Sequence, residues 1–132
     1  VSARVLLSIV ESPLHPNFTE LYEQLGYREL RVDSQRKAIG TLKHTRPDYV
    51  VAEFFYGYGN NYAGINISNL DVFLHSLQKY APEARVIVLV DKGERVHVDK
   101  LATLFDVHGI LTLPVTEADI APMLAPPRPD RA

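Results

Sequence analysis

Five short apolar runs punctuate the chain, and between them apolar residues recur at helical spacing. Val5-Leu6-Leu7-Ser8-Ile9-Val10 is the first run. It predicts a strand that stops at Glu11-Ser12-Pro13, because proline cannot continue strand pairing. Phe18, Leu21, Tyr22 and Leu25 fall at i, i+3, i+4 and i+7, which predicts a helix between Asn17 as N-cap and Gly26 as C-cap. Arg28 to Val32 predicts a short, more polar strand, the composition of a sheet edge. Ser34 is placed to cap a helix whose inner face is Ala38, Ile39 and Leu42; Gly40 inside it weakens the helix by about 1 kcal/mol relative to alanine. After Pro47-Asp48-Tyr49 comes Val50-Val51-Ala52, a third strand with the carboxylate of Glu53 at its end.

The second half continues the alternation. Leu70, Phe73, Leu74 and Leu77 predict a helix capped by Ser68 or Asn69 and ended by Pro82. Val86 to Val90 is a fourth strand, Val98, Leu101, Ala102 and Phe105 mark a fourth helix, and Gly109 to Leu113 a fifth strand. A last short helix lies between Thr116 and Leu124. Proline costs about 3 kcal/mol in a helix interior, so this helix is expected to start late, with Asp119 as cap and Pro122 in its first turn. Strands that read as continuous apolar runs are buried on both faces, as in a parallel sheet. The predicted class is therefore α/β: a three-layer, flavodoxin-like, doubly wound five-stranded parallel sheet, with right-handed crossovers favouring the order 2-1-3-4-5. Residues 1–124 form one domain in this reading, and 125–132, rich in proline, a tail or linker.

Composition narrows the function classes. The chain of 132 residues has a net charge of -2 and no long run of either sign, which gives no basic stripe for nucleic acid. Cysteine is absent, which excludes disulfides, thiolate metal sites and cysteine nucleophiles and fits a cytoplasmic protein. No apolar run approaches the roughly 18 residues of a membrane-spanning helix, and the first strand is too short for a signal-peptide core. The chain begins at Val1 rather than methionine and reads as an excised piece or fragment.

The order of motifs resembles the receiver domain of bacterial response regulators. Pro47-Asp48-Tyr49-Val50-Val51-Ala52-Glu53 is similar to the family's third strand, Glu83-Ala84-Arg85-Val86-Ile87-Val88-Leu89 to its fourth, and Gly109-Ile110-Leu111-Thr112-Leu113-Pro114 to the end of its fifth. The resemblance covers roughly residues 4 to 124. It implies a fold that phosphorylates an aspartate ending the third strand, with an acidic pair holding magnesium and a hydroxyl and a lysine binding the phosphoryl group. Here the phospho-acceptor position is Glu53. The acidic pair falls at Ile9-Val10 or Val10-Glu11, the hydroxyl position is Val90, the lysine position is Leu113, and the aromatic switch position is Ile110. Pro114 is kept, and the family's proline follows a cis peptide. These replacements argue against phosphoryl chemistry. The resemblance then implies a degenerate pseudo-receiver: not an enzyme, without cofactor or metal, acting through a protein partner of a two-component or related pathway, and able to form a homodimer.

Candidate residues follow. Glu11, Glu53 and Asp91 are expected to converge at the carboxyl ends of three strands, as an acidic pocket or a hard-cation site. A second role for Glu53 is mimicry of a phosphorylated aspartate. The alternative function class is a small-molecule or metal-binding flavodoxin-like domain using the carboxyl-end crevice. His15, His44, His75, His97 and His108 show no metal-ligand spacing and read as surface or helix-end residues; Ser8, Ser12 and Ser68 read as structural. Gly57-Tyr58-Gly59 lacks the third glycine of a dinucleotide fingerprint. Tyr56, Tyr58, Asn60, Asn61 and Tyr62, interleaved with glycine, have the composition of an adaptable partner-binding loop.

Overall fold

The computed structural model describes residues 4–12, 15, 17–55 and 70–124. Its elements are β1 (Arg4–Ile9), α1 (Thr19–Gln24), β2 (Tyr27–Val32), α2 (Gln35–Leu42), β3 (Tyr49–Phe54), α3 (Asp71–Tyr80), β4 (Arg85–Val90), a 3₁₀ turn (Lys92–Glu94), α4 (Arg95–Leu104), β5 (Gly109–Thr112) and α5 (Glu117–Leu124). All four strand pairings are parallel, in the order β2-β1-β3-β4-β5. This is the expected flavodoxin-like topology. The continuous apolar runs behave as their composition requires: every residue of β3 is buried, and so is all of β4 after Arg85.

Alternation along each strand sorts the core into two layers. Leu7, Ile9, Val50, Ala52, Val86, Val88 and Val90 face α2, α3 and α4, where Ala38, Leu42, Phe73, Leu74, Leu77, Val98 and Leu101 meet them. Leu6, Val51, Ile87 and Leu89 point the other way, against Leu21 and Tyr22 of α1 and Ile120 and Leu124 of α5. The β2 strand ends the sheet on one side, consistent with its polar composition.

Helix ends follow local chemistry. The Ser34 hydroxyl accepts the Lys37 N–H (3.1 Å), so α2 starts where its cap predicts. Asn17 instead accepts the N–H of Thr19 from one residue before the cap position, which Phe18 occupies. Gly26 takes φ +90° just past α1, a left-handed conformation that disfavours any Cβ. Ala102 was expected on the inner face of α4 but is exposed; Val98, Leu101 and Phe105 already fill the buried stripe.

The largest departure is α5. It starts at Glu117 and carries Pro122 in its interior. Thr116 and Asp119 explain the early start: the Asp119 N–H donates to Thr116 Oγ1 (3.3 Å), and the Thr116 N–H donates to Asp119 Oδ2 (3.0 Å). This reciprocal capping box fixes the first turn before Pro122 is reached. At the far end, the Tyr27 hydroxyl donates to the Leu124 carbonyl (2.6 Å), and His108 Nε2 lies 3.2 Å from the Met123 carbonyl. Ile120 and Leu124 of this short helix are fully buried.

Candidate functional site

Glu53 follows Val51 by two residues and so shares the α1/α5 side of the sheet, at the carboxyl end of the central strand. Ile9 of β1 is paired with Ala52, so the chain leaving β1 passes beside the Glu53 side chain. That segment supplies donors. Glu53 Oε2 accepts the Glu11 N–H at 2.7 Å and the Ser12 N–H at 3.1 Å. The Ser12 hydroxyl donates to Oε1, and His15 Nδ1 lies 3.2 Å from Oε2. Glu53 and the His15 side chain are each only 1% exposed.

An ionised carboxylate only accepts, so the His15 proton resides on Nδ1 in this arrangement. Its Nε2 is buried with no hydrogen-bond partner among the described residues. Burial alone pushes the Glu53 carboxyl up. Hydrogen bonds from His15 and Ser12, then the Glu11 N–H and the His15 charge, outweigh it and hold the group below its ordinary range. Glu53 is thus an ionised acceptor inside a cage of donors.

A second polar cluster braces the same side. Ser8 Oγ donates to Glu29 Oε2 (2.7 Å), and Thr19 Oγ1 donates to Glu29 Oε1 (2.7 Å), tying β1, β2 and the start of α1 together. Burial, then the Glu29 charge, pushes the neighbouring Tyr22 phenol up. That phenol therefore stays neutral across the physiological range.

Among the described residues the carboxylates expected to form an acidic pocket with Glu53 have other partners. Glu11 contributes its backbone N–H to Glu53, while its carboxylate accepts from Gln35 Nε2 on α2 (2.8 Å). Asp91 is exposed and caps the 3₁₀ turn, accepting the Gly93 N–H at 2.9 Å. An unpaired N–H at a helix start is a stronger local claim on Asp91 than a distant carboxylate, which would repel it. Among the described residues no group of three His, Cys, Asp or Glu side chains could hold a metal ion. Among the described residues the groups facing Glu53 are hydrogen-bond donors rather than the further carboxylate oxygens of the receiver pattern, so these residues do not fit its magnesium site.

The replaced positions are apolar in fact as well as in name. Val90 is fully buried at the end of β4, between Phe54 and Thr112. Ile110 is half-buried and rests against the α2–α4 layer, and Leu113 rests against the α1/α5 layer while its N–H donates to the Val90 carbonyl (2.8 Å). The Leu113–Pro114 peptide is cis, as the resemblance implied. Tyr56, Tyr58, Asn60, Asn61, Tyr62 and Ser68 lie outside the described residues, as does the proline-rich tail.

His15 overturns its sequence reading as a surface residue. It lies between Pro13 and Pro16 in an aperiodic stretch, so no hydrophobic period marks it as buried. The one available signal is position: it follows the strand that neighbours Glu53. His44, His75 and His108 are exposed, and His97 is half-buried.

No protein-family model matches the sequence, and no curated protein matches it. Solved structures do resemble the fold. A response regulator receiver domain from Clostridium thermocellum superposes with a TM-score of 0.66 at 22% identity, covering 93% of this chain and 91% of that one. The receiver domain of a sensor histidine kinase from Pseudomonas aeruginosa, with magnesium coordinated in its active-site cleft, gives 0.65 at 16% identity over 93% and 95%. A Burkholderia pseudomallei response regulator with a phosphorylated aspartic acid gives 0.61 at 16% identity over 92% and 66%. The chain has the receiver-domain fold.

Proposed function

We propose that the chain is a pseudo-receiver: a non-catalytic signalling module that works by protein–protein interaction and takes no phosphoryl group at Glu53. The observation that supports this most is the donor cage. A carboxylate that accepts two backbone N–H groups, a hydroxyl and an imidazole has its lone pairs directed inward, away from an incoming phosphoryl donor. Transfer to it would also need cationic and hydroxyl groups to balance the developing charge. Val90 and Leu113 supply neither. Mimicry of a phosphoaspartate is disfavoured for the same reason: Glu53 carries one negative charge against about two for a phosphoryl group, and the switch partners are gone.

In this reading the fold serves as a scaffold in a two-component or related regulatory pathway of the cytoplasm. The Tyr56–Tyr62 stretch is the proposed partner-binding loop, on its tyrosine and asparagine content. A homodimer remains part of the proposal. Incubation with acetyl phosphate and magnesium followed by intact-mass measurement tests the reading. The unmodified mass is expected. A stoichiometric, acid-labile phosphoryl adduct on Glu53 would overturn it.

A further inference from the structure

The charge of this chain is unevenly placed. Between Arg28 and Arg46 there are six Lys or Arg residues (Arg28, Arg31, Arg36, Lys37, Lys43 and Arg46) against two acids, Glu29 and Asp33. That is a balance of +4; the whole chain is at -2, which leaves -6 for the rest. All six cations are exposed, as is His44 beside them. Arg36, Lys37 and Lys43 lie on α2, which covers the edge strand β2, while Arg46 lies beside Asp48 and Glu83, and the Glu11 carboxylate reaches Gln35 at the start of α2. Of the two acids, Glu29 faces the α1 side, where it accepts from the Ser8 and Thr19 hydroxyls, and Asp33 pairs with Lys37 (3.0 Å), the one ion pair in this segment among the described residues. Glu20 and Glu23 of α1 temper the opposite side of β2, so the basic surface is the outer face of α2.

That face contains an unexplained glycine. Gly40 sits inside α2 with helical neighbours, and its φ is not positive. A Cβ built there would meet nothing within 4 Å. Neither the backbone nor the packing of the described residues requires it, and alanine would make the helix more stable. Helical spacing places Arg36, Gly40 and Lys43 on one stripe. At the start of α2, a cavity of about 340 Å³ is lined by Val10, Arg31, Val32, Asp33 and Lys37. Among its described lining residues are two cations, Arg31 and Lys37, and one acid, Asp33, which pairs with Lys37.

We propose that the outer face of α2 is a docking surface for an acidic segment of a partner protein. The partner's backbone lies close over Gly40, and its carboxylates meet Arg36, Lys43 and, at the cavity, Arg31 and Lys37. A protein segment fits better than nucleic acid. Charges are felt over about 8 Å at physiological ionic strength, so a short acidic segment meets mainly the +4 edge. A duplex, with one charge about every 1.7 Å, extends past that edge to the net-negative remainder. The proposal is independent of the chemistry at Glu53.

Fluorescence anisotropy on the full chain tests it, with a labelled Glu-rich peptide, its Gln-substituted counterpart and a duplex DNA. The Glu-rich peptide is expected to bind saturably at low salt, with affinity falling as salt rises, and the Gln peptide not to bind. Arg36→Glu with Lys43→Glu should weaken binding about tenfold or more, whereas Arg95→Glu with Lys100→Glu on α4 should leave it unchanged. Gly40→Ala carries the sharpest outcome: a higher melting temperature together with weaker binding, a split that a merely structural glycine does not produce. Absence of saturable peptide binding, equal loss from the α4 control pair, or tighter binding of DNA than of peptide through the same residues overturns the proposal.

Discussion

Replacing Glu53 by alanine leaves two backbone N–H groups, a hydroxyl and an imidazole without their acceptor. A hydrogen bond to a charged group contributes about 1.5–3 kcal/mol net. The four bonds do not add, because Glu11 and Ser12 are only half-buried and water recovers part of their loss. The expected destabilisation by Glu53→Ala is therefore about 3–5 kcal/mol, the equivalent of about two such bonds. Glu53→Gln keeps one acceptor oxygen but turns an NH₂ toward donors, for about 2–3 kcal/mol. Urea unfolding measures both. With a slope of about 2 kcal/mol/M, the alanine variant's midpoint falls by about 2 M. A carboxylate held in a reactive acidic pocket behaves in the opposite way, because its removal relieves like-charge repulsion and stabilises the fold. A Glu53→Ala midpoint equal to or above that of the unaltered chain would refute the donor-cage account.

The pH dependence has a definite sign. The folded-state carboxyl of Glu53 lies below its ordinary 4.5, so its contribution is fully present above about that pH and is lost as the pH falls through the lower folded value. Acid titration of stability should show this loss in the unaltered chain and a shallower one in Glu53→Gln; parallel curves would contradict the assignment. Val90→Thr restores the family's hydroxyl at a fully buried position and is expected to cost about 1–2 kcal/mol by thermal denaturation, with no gain of phosphorylation. Gly26→Ala at φ +90° should cost about 1–2 kcal/mol by the same method, and no change would refute the strain argument. Tyr27→Phe removes the donor to Leu124 and should lower stability by about 1 kcal/mol while speeding amide exchange in α5; unchanged exchange would mean the helix end is held otherwise.

Much of the fold was legible because its signals are local. The apolar runs of β1, β3 and β4 and the i, i+3, i+4, i+7 spacing of Phe18 through Leu25 each fix an element without reference to the others. The start of α5 was misplaced because the cost assigned to Pro122 outweighed the Thr116–Asp119 box, though both residues were in view. The site was harder. Glu53 was visible as a carboxylate ending a buried strand, and the loss of the hydroxyl and lysine at Val90 and Leu113 could be read by position. What fills the gap could not: backbone N–H groups of Glu11 and Ser12 carry no residue signature, and His15 sits in an aperiodic turn. The partners of the Glu11 and Asp91 carboxylates were not legible either, because backbone position does not dictate side-chain direction: Glu11 accepts from Gln35 and Asp91 from Gly93.

The central claim is that Glu53 is a satisfied structural acceptor rather than a receptive phosphoryl site. Its most direct test is a two-dimensional amide NMR titration with magnesium and beryllium fluoride, which together imitate a phosphoryl group on a carboxylate. The account predicts that the Glu11, Ser12 and Glu53 amide signals stay in place at saturating reagent, with the first two already shifted downfield by their bonds to the carboxylate. Saturable movement of those three signals would contradict it.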